Sequence, residues 1–288
     1  MTITIKDFEN DVPMAWCPGC GNFSILNALK QALVELELKS HEIVLVSGIG
    51  QAAKLPHYLK CNFFNGLHGR SLPVATAIRI ANSDLPVIVI GGDGDTYGEG
   101  GNHFMHALRR NINFTLITHN NQVFGLTQGQ ASPTTERGFV TRVQTHGVFL
   151  NPLNPVTVAI AFESPFVARG FAGDIIHLTG LIKEAITTKG FALVDVFQPC
   201  VSYDRIHTFQ WYKDRVYNLN DDGHDTQDLM AAIIKSKEWG NRIPTGIFYK
   251  NSESLTFEQQ SLVLKDGPPL VKRKHDPTKV EKLIDSFL

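Results

Sequence analysis

The sequence predicts an α/β domain in which a mostly parallel sheet carries helices on both faces. Three observations predict it. Short β-branched runs alternate with amphipathic segments of about a dozen residues. The runs are short and mostly apolar, as strands buried on both faces are. Most stop at glycine- or asparagine-rich turns, at 48–50, 91–94 and 120–125. In such folds ligands bind at the carboxyl ends of the strands. Composition agrees: of 288 residues 43% are hydrophobic and 19% charged. That permits a sizeable core and excludes a disordered or low-complexity chain.

The elements follow in order. Leu26, Leu29, Leu33 and Leu36 recur at helical spacing and predict a helix over Ser24 to Leu36. Ile43 to Val46 is a buried strand ending at Gly48-Ile49-Gly50. Ser71 is placed to cap a helix from Leu72 to Ala81, with Pro73 near its start. Val87 to Ile90 is a strand ending at Gly91-Gly92; a helix spans Asn102 to Arg110; Phe114 to Thr118 is the next strand. Asp174 caps a helix through Thr187, and Ala192 to Phe197 is a further strand. After Pro199 the pattern weakens, leaving a helix from Asp225 to Trp239 and an extended piece at Ile247 to Tyr249. Residues 1–205 are thus expected to form the main domain. Residues 206–288 are expected to be a C-terminal extension packed on the core or on a partner, with Lys272-Arg273-Lys274 in a solvated tail.

Charge and targeting narrow the function classes. Lys plus Arg is 27 and Asp plus Glu is 28, so no bulk basic field favours nucleic acid or an anionic membrane. No apolar run approaches the ~20 residues of a membrane span. The acidic N-terminal stretch around Asp7, Glu9 and Asp11 is neither a signal nor a transit peptide, so the chain reads as cytoplasmic.

The richest segment is Gly92-Asp93-Gly94-Asp95-Thr96-Tyr97-Gly98-Glu99-Gly100-Gly101, which follows a strand and opens a helix. Glycines let the backbone approach phosphate oxygens, and a helix N-terminus favours negative charge. Two acids in the turn would repel a bare phosphate; a divalent cation removes the conflict, with Asp93 as a ligand of Mg²⁺. The next strand ends in Asn120-Asn121-Gln122-Val123. One strand–helix–strand unit separates the two turns, so a right-handed crossover makes them neighbours. Asn121 and the Val123 carbonyl suit Mg²⁺ as hard oxygen ligands.

Cys17-Pro18-Gly19-Cys20 precedes the first helix, and Cys61 and Cys200 complete a total of 4 cysteines. In a reducing compartment such a pair points to metal or redox chemistry. A [4Fe–4S] cluster, a zinc site drawing on scattered residues and a thioredoxin-like redox pair all remain open from spacing alone.

Taken together, GDG followed by Asn-Asn resembles the thiamine-diphosphate fingerprint. The chain resembles the β subunit of two-subunit 2-oxoacid:ferredoxin oxidoreductases, with the 2-oxoglutarate branch nearest. WCPGCG at 16–21, SGIG at 47–50, LHGRSLPVATAI at 67–78, GGDGDTYGEGG at 91–101, NNQVFGLTQGQ at 120–130 and VFQPC at 196–200 carry the resemblance. It implies a thiamine-diphosphate-binding fold in which Asp93, Asn121 and Val123 hold Mg²⁺. Ile49, Gly50, Gln51, Ala52, Gly66, Leu67, His68 and Gly69 would line the cofactor, with His68 as the candidate catalytic residue. Gly94 and Asp95 would contact the diphosphate, and Gly125 and Leu126 would close the pocket. Cys17, Cys20 and Cys200 would bind a [4Fe–4S] cluster. The family's fourth ligand follows SGIG, where this chain has Gln51; Cys61, the remaining cysteine, is expected to take over through a rearranged loop, the alternatives being a non-thiolate fourth ligand or no cluster. Gln128 replaces a lysine common in the family. The implied reaction converts a 2-oxoacid and CoA to acyl-CoA and CO₂, with electrons passing to ferredoxin, or runs in reverse. An α subunit is implied, in an α2β2 assembly. A pyruvate or branched-chain version keeps every motif. A non-redox thiamine enzyme subunit lacks the cluster, and a non-enzymatic metal module lacks affinity for the diphosphate.

Overall fold

The computed structural model describes residues 2–274 and 276–288. In chain order its elements begin with α1 (Asn22–Glu35), β1 (Val44–Ser47), β2 (Asn62–Asn65), α2 (Ser71–Ala81), β3 (Val87–Gly92), α3 (Gly101–Arg110) and β4 (Thr115–Asn120). A hairpin of β5 (Val123–Phe124) and β6 (Gln130–Ala131) follows, then α4 (Pro155–Ala161), β7 (Phe166–Phe171), α5 (Ile175–Thr187) and β8 (Ala192–Phe197). The remainder is α6 (Phe209–Lys213), β9 (Val216–Asn218), α7 (Leu229–Ser236), β10 (Ile243–Lys250), α8 (Phe257–Gln260) and α9 (Pro277–Asp285).

The main sheet runs β2-β1-β3-β4-β8-β7-β10-β9. Every neighbouring pair is parallel except β7 with β10. Alternate residues enter two cores. Leu45, Ile88, Ile90 and Val194 meet the apolar stripes of α1 and α5, while Val44, Val87, Val89 and Leu193 meet α2, α3, α4 and α7. Both faces are therefore covered, and the expected α/β architecture holds. Among the described residues no helix is long and apolar enough to cross a membrane.

Several elements escaped the sequence pattern. β7 contains Arg169 and Gly170, which interrupt its apolar run, yet all six of its residues are buried. Gly170 is required there, because an added Cβ would sit 2.7 Å from Leu178. β2 is an edge strand with all four residues exposed, so no face is apolar enough to announce it. Ser71 is the first helical residue of α2 rather than its cap; Arg70 takes the cap position without a side-chain bond. The stretch after residue 205 adds β9 and β10 to the main sheet, with α7 between them, and among the described residues no strand follows Lys250.

Two long loops at the carboxyl edge are joined by a buried histidine. His207 Nδ1 lies 2.7 Å from Asp204 and Nε2 3.4 Å from Glu136. Burial opposes its charge, but the two carboxylates outweigh that and raise it from 6.5 to about 9. A raised histidine contributes stability that is complete below its ordinary 6.5 and is lost as pH rises through about 9. Melting temperature should therefore fall across that window in the native chain, and His207→Gln should flatten the fall. Parallel curves would show that this ion cluster does not hold the loops.

Candidate functional site

β3 delivers Asp93 to the carboxyl edge, and a single π-helical turn, Gly94–Glu99, carries the chain into α3. Asp93 is 1% exposed. Its Oδ2 accepts hydrogen bonds of 2.5 Å from the Ser132 and Thr134 hydroxyls. Burial pushes the carboxyl up to about 6, against the pull of those hydroxyls. Among the described residues no basic side chain forms an ion pair with it. A buried carboxylate without a cation is unfavourable, so this one is suited to a metal ion.

Asn121 and Val123 reach the same place from β4. Asn121 Oδ1 accepts the Val123 N–H at 3.1 Å, and Gln122 between them is left-handed (φ 58°). This tight turn starts the β5–β6 hairpin. Asp93, Asn121 and Val123 line one cavity of about 120 Å³, with Ile49 to Ala52, His68, Gly94, Asp95, Gly125 and Leu126 around them. Gly66, Leu67 and Gly69 flank this cavity without lining it. Gly94 has no alternative residue, because a Cβ there would stand 2.2 Å from the Phe124 ring.

Asp95 holds two loops together. Its Oδ1 accepts the Ile49 N–H at 3.1 Å and the Gly69 N–H at 2.7 Å, and His68 Nδ1 lies 3.5 Å away. Burial raises this carboxyl, and the two backbone donors counter it. A Cβ on Gly48 would meet Asp95 Oδ2 at 2.2 Å, so glycine at 48 is what lets the loops close. The carboxylate is therefore a brace for the loops, and the backbone of Asp95 is the part suited to an anion.

Behind Asp93 lies a buried polar chain. Thr134 Oγ1 is also 2.8 Å from Asn120 Oδ1, and Asn120 Nδ2 donates to both oxygens of Asp195 at 3.2 and 3.3 Å. Tyr97 donates to Asp195 Oδ1 at 2.9 Å. His119, beside the cavity, is pushed down to about 3 by burial and is neutral; its Nδ1 contacts Asn22 Oδ1 at 2.7 Å. That contact ties the end of β4 to the residue two places after Cys20.

Three cysteines share this edge. Cys20 is raised to about 11 by burial, with Cys200 and Cys17 adding repulsion. Gln198 Nε2 lies 3.4 Å from Cys20 Sγ, and Ser202 Oγ 3.2 Å from Cys17 Sγ. Cys61 is elsewhere. It leads into β2 beside Leu45 of β1, packs on a hydrophobic core, and is pushed up to about 12 by burial. From Leu45 to the carboxyl edge at Gly48 the strand rises roughly 10 Å, far more than a thiolate–metal bond. In this structure, then, Cys61 stands at the other end of a strand from Cys17, Cys20 and Cys200, and it could join them only through a rearranged loop between β1 and β2. Gln51 lies on the cysteine side, its carbonyl accepting Trp16 Nε1–H at 2.8 Å and its buried Oε1 without a partner. Among the described residues, no three His, Cys, Asp or Glu side chains are already closed to metal-binding distance.

Residues 44–196 match the thiamine pyrophosphate enzymes' C-terminal TPP-binding domain, and residues 200–266 the C-terminal part of pyruvate ferredoxin oxidoreductase β subunits. A 2-oxoacid:ferredoxin oxidoreductase subunit β from Saccharolobus solfataricus is 47% identical over 88% of each chain. The chain belongs to the 2-oxoacid:ferredoxin oxidoreductase β subunits. Its relatives include the 2-oxoglutarate oxidoreductase subunit KorB of Mycobacterium tuberculosis, 45% identical over 68% of this chain and 52% of that one. Among solved structures, a 2-oxoglutarate:ferredoxin oxidoreductase from Magnetococcus marinus has a TM-score of 0.90 at 36% identity, covering 98% of this chain and 96% of that one. That structure has 2-oxoglutarate, coenzyme A and succinyl-CoA bound.

Sequence reasoning about this β subunit missed the layer behind Asp93. Ser132, Thr134 and Asp195 carry no spacing signature; the segment after β6 folds Ser132 and Thr134 onto Asp93 and Asn120, and the pairing of β4 with β8 brings in Asp195. Gln128 also has a neighbour that spacing hides, because Arg142 Nη1 lies 3.4 Å from its Oε1. A cation thus stands beside the position where the resemblance noted a missing lysine.

Proposed function

We propose that this chain supplies the cofactor and electron-exit half of a 2-oxoglutarate:ferredoxin oxidoreductase, working with an α subunit in the cytoplasm. The observation that carries this reading is the shared carboxyl edge. A buried, cation-free Asp93 lines one cavity with Asn121 and Val123, and three cysteines lie on the same edge, joined to it through His119 and Asn22.

Asp93, Asn121 and the Val123 carbonyl would hold Mg²⁺, with the Ser132 and Thr134 hydroxyls fixing Asp93 Oδ2 and so orienting its carboxylate. The glycine-rich π turn and the Asp95 backbone would receive the diphosphate. Thiamine diphosphate, when bound, supplies the electron sink for decarboxylation of a 2-oxoacid. His68 borders the cavity, its Nδ1 3.5 Å from Asp95 and without a hydrogen-bond partner, and is the side chain placed to exchange a proton with the reacting group. Cys17, Cys20 and Cys200 would bind an iron–sulfur cluster, which when bound takes electrons singly toward ferredoxin. No cysteine of this chain stands at the fourth position. A cavity of about 120 Å³ is below the ~300–1,000 Å³ that encloses a drug-sized ligand. The site is therefore half of one, to be closed by the α subunit. The net reaction joins 2-oxoglutarate and CoA to give succinyl-CoA, CO₂, a proton and two electrons.

Thr134 provides a test of the metal half. Thr134→Val keeps the shape and removes the hydroxyl. It should weaken Mg²⁺ binding to the α/β complex by ~10–100-fold, as loss of an outer partner of a metal ligand does. Thr134→Ser should stay within a few fold. Mn²⁺ titration followed by EPR reads this without turnover, and equal affinity in all three would refute the assignment. For the reaction itself, the anaerobic α/β complex should reduce ferredoxin with 2-oxoglutarate and CoA. Faster reduction with pyruvate or a branched 2-oxoacid would replace the substrate, and turnover by the isolated β chain would overturn the half-site.

A further inference from the structure

A second, larger cavity lies behind the first. It has a volume of about 440 Å³ and shares no lining residue with the cofactor cavity. Asn120 borders one and Asn121 the other, so the two lie back to back across the end of β4.

At its floor is Arg169 of β7, 3% exposed. Phe197 and Phe248 cover the faces of the guanidinium at 5.2 and 5.1 Å, which leaves only its edge for polar partners. That edge is poorly used. Nε has no partner, and the contacts of Nη1 to the Pro244 carbonyl and of Nη2 to Asn154 Oδ1 are both 3.5 Å long. Such contacts are at the limit of a hydrogen bond; the Asp195 carboxylate offsets part of the charge from a distance, and the hydrogen-bonding edge of the guanidinium is left without a close partner.

The charges around the cavity are unevenly committed. Asp195 is bonded to Tyr97 and Asn120, Glu136 to His207 and Trp239, and Glu238 to Lys235 and Tyr217. Arg169 at the floor and Arg137 and Lys237 at the rim form no ion pair among the described residues. Each carboxylate is engaged in hydrogen bonds, while Arg169 keeps an unused hydrogen-bonding edge. Phe197, Leu153 and Trp239 give apolar walls.

We propose that this cavity is a binding site for a small organic carboxylate, its oxygens on the edge of Arg169 and its apolar body against Phe197, Leu153 and Trp239. A planar carboxylate matches the guanidinium fork. Asp195 close to Arg169 favours a singly charged head group over a phosphate dianion. A second buried atom without a partner, Gln122 Oε1, lines the same cavity and accepts a hydrogen bond from any donor the ligand carries.

Benzoate, succinate and inorganic phosphate would be titrated calorimetrically into the α/β complex. A carboxylate should bind saturably, and Arg169→Gln should weaken it by about tenfold or more, equivalent to ~1.4 kcal/mol. Because Arg169 is buried, Leu153→Trp serves as a second variant: it fills the cavity from an accessible wall. It should abolish carboxylate binding and leave thiamine diphosphate binding and turnover unchanged. Saturable binding of phosphate alone overturns the carboxylate assignment. Binding that survives Leu153→Trp belongs to the substrate site and overturns the proposal, as does no saturable binding of any probe.

Discussion

Asp93→Asn should leave the fold intact and remove the cofactor. The α/β complex of this variant should bind Mg²⁺ and thiamine diphosphate more than ~100-fold more weakly, beyond the 10–100-fold that loss of an outer partner causes. Asn lacks the anionic oxygen that Mg²⁺ favours. The reason to expect an intact fold is that burial already raises this carboxyl to about 6. The native chain holds an uncompensated charge at neutral pH, and the amide does not. In the absence of ligand the variant should melt at or above the native temperature. In the native complex, cofactor at 100 times its dissociation constant should add about 2.7 kcal/mol of stability. That increment should vanish in the variant. A variant that melts early and also loses cofactor would show that Asp93 is a structural cap, not a metal ligand.

The cysteines give the second large effect. Cys17→Ser, Cys20→Ser and Cys200→Ser should each lose most of the bound iron, because each removes one of only three thiolates. Cys61→Ser should keep its iron, since Cys61 sits beside Leu45, away from the carboxyl edge. Its cost should be confined to stability, from replacing a partly buried thiol in a hydrophobic cluster. Iron and acid-labile sulfide per chain, measured anaerobically on the four variants, separate the two outcomes. Loss of iron in Cys61→Ser would require the loop between β1 and β2 to rearrange, and would restore the four-cysteine set.

What was legible in the sequence was local. The Gly92-Asp93-Gly94 turn and Asn120-Asn121 each follow a strand directly, so chain connectivity alone places them at the carboxyl edge. β1, β3, β4 and β8 are buried on both faces; the first two carry the apolar runs Val44 to Val46 and Val87 to Ile90, and the other two the apolar pairs Leu116-Ile117 and Leu193-Val194. Elements whose identity depends on distant contacts were not legible. β7 reads as broken because Arg169 is charged, and its burial makes sense only with Phe197 and Phe248 stacked on it. The bracing role of the Asp95 carboxylate was not legible either, because its partners, the Ile49 and Gly69 N–H groups, come from loops 46 and 26 residues away. Cys61 was judged from a count of thiols, which holds no information about which end of a strand each occupies.

The most direct test of the account is the EPR spectrum of the anaerobic α/β complex, loaded with thiamine diphosphate and Mg²⁺, before and after 2-oxoglutarate is added without ferredoxin. Electrons released at the cofactor then have only the chain's own cluster to enter. A reduced iron–sulfur signal that appears on addition of the 2-oxoacid, and is absent in Cys200→Ser, is the expected result. Stoichiometric zinc in place of iron, or iron that stays unchanged while the 2-oxoacid is decarboxylated, would contradict it and leave a non-redox thiamine enzyme subunit.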